Sequence, residues 1–235
     1  MQEDAAAKSS SLAANSSSMN SRRYQWGPPL PSESESTVAK KSNESSRKLA
    51  GVSFGDIHIN NIGQLRKLNE HAFPLTYADK FYKEIPTLSK DFTQFAYYGG
   101  FVVGAVCGRL ETIDSSSKKL YIMTIGVLVA YRERGIGKML LDYLLENAEK
   151  DPDVSFVYLH VQTSNLAALE FYRKAGFMKV GIIRNYYKRI DPPDCFVLTK
   201  LLHYGPQQNP PFDTVLPDIA AQVGVDLNDQ DPKTS

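Results

Sequence analysis

Cysteine and tryptophan are both scarce in this chain: Cys107, Cys195 and Trp26 are the only examples in 235 residues. Two thiols so far apart exclude a small disulfide-stapled scaffold and lack the short spacing of a zinc-binding pair, so both are expected as buried, reduced side chains. Long apolar runs are missing as well. No stretch approaches the ~20 residues needed to cross a bilayer, and no apolar segment follows a basic start, so neither membrane insertion nor secretion is expected. An excess of either charge is also absent. With 27 Lys plus Arg against 26 Asp plus Glu, the formal net charge of +1 creates no global field to gather nucleic acid or an anionic membrane. An anionic ligand must therefore be held locally. The Ser-rich stretch 9–23 has part of a transit-peptide composition, but Glu3 and Asp4 oppose it, so the cytoplasm is the expected compartment, with the nucleus second.

What is present is concentrated in the middle. Hydrophobic residues make up 42% of the chain and lie mostly between Val52 and Leu202, enough to bury one self-sufficient core. Residues 1–50 are rich in Ser, Ala and Asn and poor in branched aliphatics, so a disordered tail is expected there. Residues 51–203 form the expected domain. From 204 to 235, Pro206, Pro210, Pro211 and Pro217 predict a flexible tail interrupted at most by a short helix near Pro217 to Val225.

Within the domain the periodicity changes repeatedly. Val52 to Ile59 reads as a strand, and Asn60 or Asn61 caps a helix with Ile62, Leu65 and Leu68 on its apolar face. Phe73-Pro74-Leu75-Thr76-Tyr77 is a loop with unusual apolar area before a short helix from Asp79 to Ile85. Phe92 to Tyr98 and Phe101 to Leu110 form a hairpin across Gly99-Gly100, and Leu120 to Leu128 is a further strand. Ile136, Met139, Leu140, Tyr143, Leu144 and Ala148 mark the clearest amphipathic helix. A strand over Val154 to Val161, a helix capped by Ser164 or Asn165 and stopped by Gly176, and strands over Phe177 to Ile183 and Phe196 to Leu202 follow. The order β, α, α, β, β, β, α, β, α, β, β predicts one α+β domain with a mixed, mostly antiparallel central sheet flanked by helices.

The strand ending at Leu128 runs through Tyr131-Arg132-Glu133-Arg134-Gly135-Ile136-Gly137 into that amphipathic helix. Free amides at a helix start, together with the positive end of its dipole, bind a phosphate diester well, and Gly135 and Gly137 allow close approach. Neither a Walker loop nor a full dinucleotide fingerprint is present. RxxGxG in this setting resembles the acyl-CoA signature of the GNAT superfamily of acetyltransferases, and the resemblance covers about residues 52–202. Five further motifs, Phe73-Pro74-Leu75-Thr76-Tyr77, Tyr121-Ile122-Met123-Thr124, Leu159-His160-Val161-Gln162, Phe171-Tyr172-Arg173-Lys174 and Asn185-Tyr186-Tyr187, together resemble the N-terminal acetyltransferases of that superfamily, of the NatE catalytic type.

The resemblance implies acetyl-CoA as co-substrate and no metal. It assigns the pantetheine arm to the backbone of Ile125, Gly126, Val127 and Leu128, and the pyrophosphate to Arg132, Glu133, Arg134, Gly135, Ile136, Gly137 and Lys138. Asn165, Tyr172 and Lys174 line the other side of the cofactor. Phe73, Pro74, Leu75, Tyr77, Met123, Tyr186 and Tyr187 would clamp a protein or nascent-chain N-terminus, favouring Met followed by an apolar residue. Leu75 stands where the family more often has the smaller Val. Arg109 matches a position near the substrate entrance. The implied partners are NatA-type catalytic and auxiliary subunits and the ribosome.

Tyr121 and His160 are the implied catalytic pair, deprotonating the amine through ordered water. Strand alternation places Tyr121 and Met123 on one face, opposite Leu120, Ile122 and Thr124, and places Tyr158 with His160. An α-amine with pKa near ~8 needs only a modest base, so His160, near ~6.5 when unperturbed, is expected as the base and Tyr121 as its partner. Two rival readings use the same cofactor site: acetylation of lysine or small amines, and a weakly active subunit of a ribosome-associated complex.

Overall fold

The computed structural model describes residues 51–203, 212–227 and 229; the expected Ser-rich tail lies outside the described residues. The elements are β1 (Val52–Asp56), α1 (Ile62–Ala72), α2 (Asp79–Glu84), β2 (Thr93–Tyr98), β3 (Phe101–Thr112), β4 (Lys118–Val127), α3 (Ile136–Ala148), β5 (Val154–Gln162), α4 (Leu166–Lys174), β6 (Met178–Ile183), β7 (Cys195–Leu201) and α5 (Phe212–Val223). The strands form one sheet of seven in the order β1-β2-β3-β4-β5-β7-β6. Neighbours are antiparallel except β4 and β5, which gives the expected mixed sheet. At the β2–β3 turn Gly99 and Gly100 both take positive φ, 57° and 83°, as a two-residue hairpin with the right twist requires.

The parallel pair is incomplete. Its register runs from Lys118↔Val154 to Tyr121↔Tyr158 and stops, although β4 continues against β3 to Val127 and β5 against β7 to Gln162. The edge of β4 from Ile122 onward therefore faces β5 without a strand partner. A bulge sits at this point: Gly108 pairs with Ile122 and Cys107 with Thr124, leaving Met123 as the extra residue. The bulge overturns one expected alternation. Leu120 and Ile122 pack toward α3, but Ile125 and Val127 do so next, so the parity reverses and Thr124 moves to the side of Cys107.

The helices cover the sheet in sectors. Leu140, Leu141 and Leu144 of α3 pack on Val106, Leu120, Ile122, Val157 and Leu159. On the opposite face Leu65 and Leu68 of α1 and Phe81 of α2 pack on Phe95, Ala105 and Cys107. Each such side chain fully removed from water contributes about 1.5 to 3 kcal/mol.

The third sector corrects the expectation for the C-terminal segment. The short helix expected near Pro217 begins instead at Phe212, and Pro217 lies inside it. An interior proline costs about 3 kcal/mol, but Leu216, Ile219 and Ala220 of α5, with the following Val225, are buried against Phe156, Tyr158, Val180 and Val197. Burial of three large aliphatic side chains outweighs one lost helix bond, and Pro217 itself points to solvent.

Candidate active site

The loop between β4 and α3 presents backbone. Arg132 is extended, Glu133 takes φ 60°, and Gly135 caps α3 with φ 79°. Positive φ at Gly135 is free of the Cβ penalty another residue would meet. No side chain caps α3 and no acidic residue lies in its first turn, so the amides around Gly137 and Lys138 and the positive helix end face outward uncompensated. Ile136 is only 1% exposed as a whole residue, so it anchors the helix start in the core while the flanking Gly135 and Gly137 remain partly exposed. Ile125, Gly126 and Val127 lie along the edge of β4 that β5 leaves unpaired, and Leu128 follows directly after the strand, just before this loop.

The long side chains expected around the cofactor have partners within the protein. Arg132 is exposed but lays its guanidinium on the backbone, donating to Val127 O at 3.0 Å and Ala72 O at 3.1 Å, so it ties the loop to both β4 and the end of α1. Arg134 lies 5.7 Å from the ring centre of Tyr131. Lys138 pairs with Asp142 at 2.6 Å and Lys174 with Glu170 at 3.7 Å. Asn165 uses Oδ1 to cap α4, accepting from Ala168 N at 3.1 Å. Tyr172, on the same helix, is 5% exposed.

Side chains dominate the other side of the gap. The Tyr121 hydroxyl is 3.2 Å from His160 Nδ1 and 3.5 Å from the Tyr186 hydroxyl. The His160 and Tyr186 rings stack at 4.5 Å between centres, 13° apart, and Tyr121 stacks on Tyr158 at 4.9 Å. Tyr186 meets Tyr187 edge-on at 4.9 Å. From the α1–α2 loop, Phe73 contacts Tyr77 edge-on at 5.8 Å. Phe73 also lies directly over β4: a Cβ on Gly126 would be 2.9 Å from Phe73 Cζ. Met123, at the bulge, packs where the α1–α2 cluster meets the α5 cluster. Leu75 is half-buried and Pro74 exposed in the same loop.

Electrostatics bind these segments into one site. Burial raises the Tyr77 phenol, with smaller contributions from Cys107, Tyr82 and Tyr186. Burial likewise raises Tyr187, followed by Cys195, Tyr186, Tyr77 and Tyr172, and raises Tyr172, followed by Tyr77. The loops after α1 and β6 thus converge with α4. His160 departs from its expected value: burial lowers it to about 4, against a weak opposing effect of Glu111. Its imidazole is neutral at physiological pH and acts as a hydrogen-bonding partner rather than a base poised near neutrality.

Arg109 has a larger place than its strand-end position suggested, and Glu84 and Glu111 were missed. Arg109 joins Glu84 of α2 at 3.0 Å and Glu111 at 2.6 Å, and Tyr158 donates to Glu111 at 2.7 Å. Burial opposes ionisation of Glu111, but the bonds from Tyr158 and Arg109 outweigh it and hold the carboxyl below its ordinary range. The i, i+2 placement of Arg109 and Glu111 on β3 was the available signal; their cross-strand neighbours Tyr121 and Lys119 were not legible without the register.

A parted parallel strand pair, an uncapped helix start beside it and a hydrogen-bonded Tyr–His pair at the fork define an acetyltransferase of the GNAT type. The Acetyltransferase (GNAT) family model matches residues 62–177. N-alpha-acetyltransferase 50 of Danio rerio is 44% identical over 151 residues, covering 64% of this chain and 89% of that protein. The "Probable N-acetyltransferase san" of Drosophila melanogaster is 43% identical over 153 residues, covering 65% and 82%. Among solved structures, Arabidopsis thaliana Naa50 in complex with the bisubstrate analogue CoA-Ac-MVNAL superposes with a TM-score of 0.61 at 43% identity, covering 64% of this chain and 98% of that one. The chain belongs to the GNAT acetyltransferase family.

Proposed function

We propose that this protein transfers the acetyl group of acetyl-CoA to the free α-amine of protein N-termini, with Met followed by an apolar residue as the preferred start. The observation that carries the reading is the convergence of Phe73, Tyr77, Tyr186 and Tyr187 on the Tyr121–His160 pair, at the fork where β4 leaves β5. Aromatic faces and Met123 suit an apolar first side chain, while phenol hydroxyls suit the peptide backbone behind it. The similar Arabidopsis protein was solved with an analogue joining CoA to a Met-Val peptide, which supports the same acceptor class here.

In this mechanism the uncapped start of α3 holds the pyrophosphate and the β4 edge aligns the pantetheine arm. The amine nitrogen attacks the thioester carbonyl carbon; the C–N bond forms, the C–S bond breaks, and the amine proton leaves through water ordered by Tyr121 and His160. Neutral His160 accepts or donates a hydrogen bond in that relay, and its low basicity assigns it to orientation. Backbone amides of β4 face the developing oxyanion. Burial raises the Tyr172 pKa and keeps its hydroxyl protonated, so it can donate a hydrogen bond to the departing thiolate without giving up its proton; the proton released from the amine to water balances the thiol form of CoA. Assembly with NatA-type subunits at the ribosome would bring this site to nascent chains.

The decisive test supplies acetyl-CoA with Met-Val, Met-Leu and Ser-initiated peptides, and with N-terminally blocked peptides containing lysine, and maps the label by mass spectrometry. Label on the α-amine of Met-apolar peptides is expected. Label confined to lysine overturns the acceptor assignment, and acetyl-CoA binding without turnover supports a subunit of low activity instead.

A further inference from the structure

The C-terminal helix lies beyond the last residue of the family match, 177, yet it abuts the proposed catalytic face. Its buried residues Leu216, Ile219 and Ala220 share one cluster with Tyr121 and Tyr158. It is closely fitted: Val225 fills the space over Gly181, where a Cβ would collide with Val225 Cγ1. Beyond the helix, Asp229 pairs with Arg184 at 3.2 Å, and Arg184 also pairs with Asp194 at 2.9 Å. The segment is thus tied to β6 and to the β6–β7 loop that carries Tyr186.

One polar connection runs from this helix into the site. Lys119 Nζ donates to the carbonyl of Gln222 at 2.5 Å, in the last turn of α5, where orphan carbonyls and the negative helix end favour an ammonium. The same ammonium is 3.7 Å from Glu111 Oε2 and 5.2 Å from the ring centre of Tyr158. Glu111 in turn accepts from Tyr158 at 2.7 Å and Arg109 at 2.6 Å. These two residues flank Tyr121: Tyr158 stacks on its ring at 4.9 Å, and the Arg109 guanidinium lies 5.7 Å from its centre.

We infer that Lys119 is a positioning residue and α5 its anchor, so that the C-terminal segment sets the placement of Tyr121 through Glu111, Tyr158 and Arg109. The physical reason is the need of a half-buried carboxylate for fixed partners. Glu111 is 21% exposed and Lys119 14%, and with α5 in place the ammonium is shared between the helix end and the carboxylate. When α5 is displaced, the ammonium is released to a different geometry, Glu111 rearranges, and the Tyr158 and Arg109 contacts on either side of Tyr121 shift with it. A misplacement of about 1 Å at a reacting group, even one caused far from the chemistry, can cost ~100-fold in rate.

The inference rests on Tyr121 acting in acetyl transfer, and its test separates the two. In the full chain, kcat and KM for acetyl-CoA and for acceptor are measured for Lys119→Met, for Ile219→Asp and for the double variant, below the melting temperature of each. They are measured with whichever amine the unaltered chain acetylates, so an acceptor other than the α-amine overturns the function and leaves this comparison standing. Each single variant is expected to lower kcat ~10-fold with KM for acetyl-CoA within ~2-fold, and the double variant to be no slower than the slower single one, because both interrupt one connection. If Ile219→Asp does not fold, Lys119→Met with Lys119→Arg decides: loss with Met and partial recovery with Arg is the expected pattern. Unchanged kcat in Lys119→Met, or effects that multiply in the double variant, would overturn the inference and leave α5 a purely stabilising element.

Discussion

The proposed donor and acceptor sides of the gap are made from different parts of the polypeptide. On the donor side, the β4 edge and the start of α3 offer backbone amides, and the ionic side chains nearby are engaged with Val127, Ala72, Asp142 and Glu170. On the acceptor side, the α1–α2 loop, the β6–β7 loop and the strand pair offer phenols, an imidazole and aromatic faces. Under the proposed function, the invariant ligand is read by backbone geometry, whereas selection among peptides falls to side chains. Substitutions should therefore separate by side: acceptor changes in turnover and peptide KM, donor changes in acetyl-CoA KM.

The largest expected effect is on the acceptor side. Tyr121→Phe removes the hydroxyl shared with His160 and should lower kcat by ~100-fold or more, the usual contribution of proton transfer, with KM for acetyl-CoA nearly unchanged. Steady-state kinetics with a Met-Val peptide reads this directly, and equal losses in both parameters would blur the division between the sides.

His160 offers a pH test. Its pKa is about 4 in the folded chain against 6.5 unperturbed, so below about pH 6.5 the unfolded chain takes up the proton first. Stability present above that pH is lost progressively toward pH 4, by up to roughly 3 kcal/mol. Urea unfolding at stepped pH should show that loss in the parent and a flatter profile in His160→Gln. The kcat profile should show no break near pH 6.5.

Gly126 joins the two sides, since its backbone belongs to the donor and its empty side-chain position to the acceptor. Gly126→Val would strike Phe73, and displacing that ring should raise peptide KM ~10-fold while acetyl-CoA KM moves by less than ~3-fold. A smaller effect belongs to Arg132→Lys, which loses the forked contact to Val127 and Ala72. An increase of ~3 to 5-fold in acetyl-CoA KM, measured by titration or initial rates, is expected with peptide KM unchanged.

Much of the fold was legible because its signals are local. Gly99-Gly100 announced a hairpin, the apolar spacing from Ile136 announced α3, and Ser164 or Asn165 announced the start of α4, where the fold uses Asn165. Pro217 misled because its local penalty was read without the buried face of Leu216 and Ile219. The alternation through Thr124 failed because the bulge depends on the pairing of β3 with β4 and leaves no mark in β4 itself. Glu111 and Glu84 were not legible as site residues, since a carboxylate on a strand or helix looks solvated until its partners arrive from elsewhere in the chain.

The sequence alone determined the element order and the glycine-bearing turn into α3, because helix starts, glycine turns and strand periodicity act over a few residues. Only the tertiary structure decided where β4 parts from β5, that Arg132 bonds to the carbonyls of Val127 and Ala72, that burial lowers the His160 pKa and that α5 closes the sheet behind Tyr158. Those outcomes depend on desolvation and on contacts between residues far apart in the chain, whose energies exist only once the chain has folded.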